Sequence, residues 1–143
     1  TARRELDNGL SDKGKEQAKA IRRFFLERFG PIEAEKGFWL VSSPKRRCVE
    51  TLSPLAKALE RQVDVHPDLD ETLSRESQKQ FIERVQRFLL EWQQSPATLT
   101  VLCSHGDWLP LAAFHLLGTP VEFKKGAWLE VGLESGRALQ QWY

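Results

Sequence analysis

Two short segments of this 143-residue chain carry side chains suited to chemistry on an anion. The first is Ser42-Ser43-Pro44-Lys45-Arg46-Arg47, where small hydroxyl residues close an apolar run and three cations open the next stretch. A helix N-terminus offers free N–H groups and the positive end of its dipole, so it already favours an anion. Cations placed there oppose the dipole, and a bound anion would relieve that cost. Arginine adds forked donors matched to phosphate oxygens. Lys45 and Arg46 read as a solvated basic face, whereas Arg47 is a candidate anion ligand and Ser43 a candidate contact beside it.

The second segment is Cys103-Ser104-His105-Gly106-Asp107. His105 falls where an apolar strand stops and a helix starts, and in open α/β sheets ligands bind at the carboxyl ends of the strands. Gly106 permits a ligand to approach the backbone, and Trp108 is the tryptophan placed to line a site. Alone, His105 reads equally as a ligand and as a residue that caps a turn. A carboxyl group near such a pocket could protonate a leaving oxygen. Glu71, in the segment PDLDE, fits that role as well as it fits a solvated turn, while Asp68 and Asp70 read as turn residues. His66 reads as exposed structure and His115 as a core histidine. No two of the three histidines share metal-ligand spacing, so no metal site is expected.

The elements that must position these residues alternate between helix and strand, the pattern of an α/β layer fold. Ser11 is a candidate N-cap for a helix with Ala18, Ile21, Phe25 and Phe29 on one face, which Gly30 and Pro31 should end. Phe38–Ser42 and Leu99–Ser104 are continuous apolar runs that predict buried parallel strands. Between them, Pro44 suits a first helical position, Pro54 should kink or divide the helix that follows, and Gln62–His66 alternates like a half-buried strand. Ser77–Trp92 is the clearest amphipathic helix, with Phe81, Val85, Phe88, Leu89 and Trp92 on one face. An apolar helix from the His105 turn to Gly118 and a hairpin about Glu134–Gly136 complete the chain.

Composition narrows the function classes. With 21 Lys and Arg against 20 Asp and Glu, the net charge is +1, which argues against a generic nucleic-acid binder. No apolar run approaches the roughly 20 residues that span a bilayer, and no leader pattern is present, so neither a membrane nor a secreted setting is expected. Cys48 and Cys103 read as two buried thiols in a reducing, cytoplasmic compartment. No Gly-rich nucleotide loop occurs, and no cofactor is expected.

These segments resemble the histidine phosphatase superfamily, the phosphoglycerate-mutase-like fold. The matching stretches are GLSDKGKEQA (9–18), VSSPKRRCVET (41–51), PDLDE (67–71), the run of Glu76, Ser77, Phe81, Arg84, Val85, Phe88 and Leu89, and VLCSHGD (101–107), in the family's order. The short length and FKKGAWLEV (123–131) look most like its small bacterial phosphohistidine phosphatase branch. The resemblance implies a three-layer α/β/α sandwich with a mostly parallel sheet and an antiparallel C-terminal edge. It implies metal-free, cofactor-free phosphoryl transfer through a phosphohistidine, from a phosphorylated small molecule or a phosphoprotein. Arg47 matches the arginine that grips phosphoryl oxygens, His105 the second histidine, and Glu71 the usual position of the proton donor. The family's nucleophile lies in an Arg-His-Gly motif at the end of a central strand shortly before the GLSDKG segment. That strand is expected ahead of Thr1, in a single domain spanning 1–143 that these residues leave incomplete; His66, His105 and His115 do not match its position. Two other readings remain: a non-catalytic member of the fold that binds phosphate or a phosphoprotein, and an α/β interaction module whose basic turn meets an acidic partner.

Overall fold

The computed structural model describes residues 7–34, 37–97, 99–124, 128–132 and 137–142. The chain groups into two compact units, Thr1–Pro67 with Pro96–Cys103, and Asp68–Ser95 with Ser104–Tyr143.

The first unit contains α1 (Asp12–Ala34), β1 (Phe38–Ser42), α2 (Arg46–Ala58), β2 (Asp64–Val65) and β3 (Leu99–Cys103). β1 lies between β2 and β3 and is parallel to both. Its apolar run is explained by burial: Phe38, Leu40, Val41 and Ser42 are all inside. The register pairs Phe38 with Leu99 and Ser42 with Cys103, so β1 and β3 end together. α1 packs on α2, and Phe25 stacks edge-on to Phe38 with ring centroids 5.3 Å apart. Ser11 caps α1 by accepting the Gly14 N–H at 3.1 Å. Glu50 of α2 holds the approach to α1, accepting the Leu10 N–H at 2.9 Å and pairing with Arg46 at 3.1 Å.

Several boundaries differ from those expected. α1 continues through Gly30 and Pro31 to Ala34. Pro54 likewise sits inside an undivided α2, despite the N–H bond that a helical proline forfeits. Pro44 precedes α2 by two residues and Lys45 is the N-cap, so proline supplies the bend rather than the first turn. β2 is only two residues long; both are exposed, so little packing extends it.

The second unit opens with the 3-10 turn Pro67–Leu69 and contains α3 (Gln78–Gln94), α4 (Trp108–Leu117), β4 (Trp128–Gly132) and β5 (Arg137–Trp142). Ser77 starts α3 with a reciprocal capping box: its hydroxyl accepts the Gln80 N–H at 3.1 Å and Gln80 Oε1 accepts the Ser77 N–H at 2.9 Å. α3 buries Phe81, Val85, Phe88 and Leu89, α4 buries Trp108, Ala112 and Ala113, and Phe88 meets Trp108 edge-on at 5.6 Å. Gly118 ends α4 in the left-handed region, φ 74°, where glycine carries no side-chain penalty. β4 and β5 are antiparallel as expected, yet among the described residues they form their own two-stranded sheet rather than the edge of the parallel one. The turn expected at Glu134–Gly136 lies outside the described residues.

Candidate active site

In the first unit, the turn after β1 is fixed by its own hydroxyls. Ser42 and Ser43 are fully buried. Ser42 Oγ donates to the Ser43 carbonyl at 2.8 Å, and Ser43 Oγ accepts the Lys45 N–H at 3.3 Å. The backbone is clasped from both neighbouring strands: Ser43 N–H donates to the Cys103 carbonyl at 3.0 Å, and the Ser42 carbonyl accepts the His66 N–H at 2.9 Å. Ser43 therefore holds the turn from within, and Arg46 bears out the solvated basic face, with its side chain 66% exposed beside Glu50. Arg47 is half-buried in the first turn of α2, where its carbonyl accepts the Thr51 hydroxyl at 2.6 Å. Its positive charge reaches the Cys103 thiol. That thiol is nonetheless pushed well above its ordinary pKa, first by its hydrogen bond with Cys48 and then by burial; the pull of Thr51 and Arg47 is smaller.

In the second unit, His105 is buried and opens α4, its carbonyl accepting the N–H groups of Trp108 at 3.1 Å and Leu109 at 3.0 Å. The turn that carries it is tied to the loop after the 3-10 turn. Ser104 Oγ donates to the Leu69 carbonyl at 2.6 Å, and Trp108 Nε1 donates to the Asp68 carbonyl at 2.7 Å. Asp107 Oδ2 accepts both the Thr72 N–H, at 2.9 Å, and the Thr72 hydroxyl, at 2.8 Å. The carboxylate this brings to His105 is Asp70, with Oδ1 3.8 Å from Nε2. Asp70 Oδ1 also accepts the Glu71 N–H at 2.9 Å. Glu71 is half-buried beside it, and Asp68 turns to Arg87, which grips it through bonds of 2.9 and 2.8 Å.

Behind this loop stands Arg84, which sequence reasoning did not single out. Its guanidinium donates to the carbonyls of Asp68 at 2.8 Å, Asp70 at 2.7 Å and Glu71 at 3.0 Å. It also grips both oxygens of Glu76, at 2.8 and 2.9 Å. Those bonds hold the Glu76 carboxyl below its usual range, against the opposing effect of burial. A charged residue on the apolar stripe of α3, three positions after Phe81 and four before Phe88, is the signal that marks it.

Residues 1–74 match the histidine phosphatase superfamily (branch 1), a little over half of the chain. The chain belongs to this superfamily. The matched span contains the β1–α2 turn with Arg47 and the loop with Asp70 and Glu71, and stops before His105. Solved structures of the superfamily fold agree. A mycobacterial hydrolase shares 23% identity at a TM-score of 0.64, covering 82% of this chain and 73% of that one. A mycobacterial glucosyl-3-phosphoglycerate phosphatase in complex with inorganic phosphate shares 23% identity at a TM-score of 0.63, with 82% and 73% covered. A protein of Thermus thermophilus shares 22% identity at a TM-score of 0.61, with 96% and 86% covered. No curated protein matches the sequence.

The remaining candidates of this superfamily member take other places. Trp108, expected beside a ligand, is 1% exposed with its indole N–H already engaged, so it supports the loop from inside. A Cβ on Gly106 would meet no atom within 4 Å, so no protein contact there demands glycine. His115, expected in the core, is exposed on α4, whose apolar sequence spreads around the helix rather than along one face. His66 is half-buried at the end of β2. Among the described residues no group of three His, Cys, Asp or Glu could hold a metal ion, and no helix is long and apolar enough to cross a membrane.

Proposed function

We propose that this domain takes part in metal-independent hydrolysis of a phosphomonoester or a protein phosphohistidine, in the cytoplasm, through a phosphohistidine intermediate. A histidine nitrogen attacks phosphorus, the bond to the leaving atom breaks (oxygen in a phosphomonoester, imidazole nitrogen in a phosphohistidine), and that atom takes a proton from an acid. Water then attacks the phosphohistidine and releases inorganic phosphate. Arg47 grips the phosphoryl oxygens by its forked donors. His105 stabilises the negative charge on the group in transfer, and Glu71 stands at the family position of the proton donor. The role of attacking nucleophile is given to none of His66, His105 and His115, which do not match the family's position for it.

The observation that carries this reading is the register of β1 and β3. Ser42 and Cys103 are parallel partners at the carboxyl edge of the sheet, Arg47 follows the first by five residues and His105 the second by two. Membership of the superfamily supports the reaction class. The likeness to a glucosyl-3-phosphoglycerate phosphatase supports a phosphorylated small molecule among the substrates.

The test is hydrolysis of p-nitrophenyl phosphate in EDTA, with the reaction on a radiolabelled phosphate donor stopped in alkaline SDS, which preserves phosphohistidine. Turnover with an acid-labile, alkali-stable label on histidine is expected. Phosphate binding without turnover would favour the non-catalytic member of the fold. Failure to bind phosphate or vanadate at millimolar concentration would overturn both.

A further inference from the structure

The guanidinium of Arg84 has five N–H donors, and the five hydrogen bonds to Glu76, Asp68, Asp70 and Glu71 engage them all. Its side chain is 7% exposed and that of Glu76 10%, so the pair is shielded from water and from salt. A group so committed has no donor left for a ligand. What it holds is backbone: three of the four carbonyls in the segment 68–71. A loop normally satisfies its carbonyls with water and moves accordingly; this one is fastened to the middle of a helix. The same four residues are the anchor for the His105 turn, through Ser104 on Leu69 and Trp108 on Asp68. The chain of contacts therefore runs from α3 through the loop to the imidazole, with Asp70 closing it at 3.8 Å.

We propose that Arg84, braced by Glu76, is a positioning residue for His105, acting through the 68–71 loop. This rests on the reading of His105 as a phosphoryl-contacting group. The geometry needed is strict, since a displacement of about 1 Å at a reacting group can cost roughly 100-fold in rate. Lysine cannot take over, because an ammonium has three donors and no planar fork with which to span three carbonyls and a carboxylate.

The first test reads binding, independent of turnover. The imidazole signals of His66, His105 and His115 are followed by NMR while inorganic phosphate is added to the protein. In the unmodified protein the His105 signal should move, with His66 and His115 as internal controls. In R84K and in E76Q, each verified folded by circular dichroism, that response should weaken. A His105 response in R84K and E76Q equal to the unmodified one overturns the positioning role. No response in the unmodified protein overturns the reading of His105, and the proposal with it.

The second test is a double-mutant cycle on kcat with R84K and H105N. R84K alone should lower kcat by roughly 100-fold with KM changed less than about twofold, the pattern of an interaction made in the transition state. In the H105N background R84K should cost little more, because both changes disable one device. Losses that multiply would mean that Arg84 acts on stability alone and would overturn the proposal. E76Q repeats the cycle should R84K not fold.

Discussion

Ser104 donates a 2.6 Å hydrogen bond to the carbonyl of Leu69, 35 residues earlier in the chain. Ser104 is the first residue past β3, and Leu69 ends the 3-10 turn. This bond and the indole bond of Trp108 to Asp68 turn two segments that are remote in sequence into one rigid corner around His105.

The Trp108 bond is the easier of the two to weigh by substitution. Trp108→Phe keeps an aromatic ring against Phe88 but leaves the buried Asp68 carbonyl with one donor fewer. The indole also fills volume that phenylalanine leaves empty. A loss of about 1–3 kcal/mol in unfolding free energy is expected, read from the urea midpoint at unchanged slope.

Acid should release the Arg84 clamp. Glu76 is held below its usual value of 4.5 in the folded chain, so the unfolded chain binds the proton more readily. The sign follows from that difference: the stabilisation is fully present above about pH 4.5 and is lost as pH falls through the lower folded value. Thermal melts between pH 6 and pH 3 should show a drop in Tm over that lower range, and Glu76→Gln should flatten it. An equal drop in the variant would assign the acid sensitivity to other carboxylates.

Much of this corner was hidden from sequence for a physical reason. The strands Phe38–Ser42 and Leu99–Cys103, the Ser77 cap and the Gly118 stop were legible because apolar runs, capping and left-handed backbone each leave a local mark on residue type, although β3 is half-buried along its whole length where full burial was expected. The apolar stripe of α3 was legible too, with Arg84 standing on it, but patterning could not name what Arg84 binds; its partners are mostly carbonyls, which every residue has. The choice between Asp70 and Glu71 was equally concealed. Two adjacent carboxylates in a loop point where the backbone sends them, and here the backbone is set by a helix that follows in the chain. Trp108 showed the converse: its place beside His105 suggested a pocket wall, and its burial in the core depends on Phe88, twenty residues away in sequence.

Arg47 gives the sharpest prediction for catalysis. Its planar fork is the feature that suits phosphoryl oxygens, so charge alone should not substitute for it. Arg47→Ala should lower kcat by roughly 100- to 1,000-fold, the scale for removing one electrostatic donor from a transition state. Arg47→Lys should recover only a small part. Near-normal turnover of p-nitrophenyl phosphate in Arg47→Ala would remove the β1–α2 turn from the site.

The two thiols offer a check on the core beneath that turn. Cys48 is buried in the first turn of α2 and Cys103 ends β3; they meet through a thiol hydrogen bond in a site that disfavours the thiolate. The thiolate is the reactive form, so raising the pKa slows alkylation even where a reagent can reach. With iodoacetamide at pH 8, Cys103 should react far more slowly than a free thiol in solution, and both cysteines should react freely in guanidinium. Arg47 opposes this by drawing the Cys103 pKa down, so Arg47→Ala should slow the Cys103 reaction further while the fold is kept. Faster labelling of a folded Arg47→Ala protein would mean that the guanidinium shields the thiol more than it activates it, and would revise the placement of its charge beside β3.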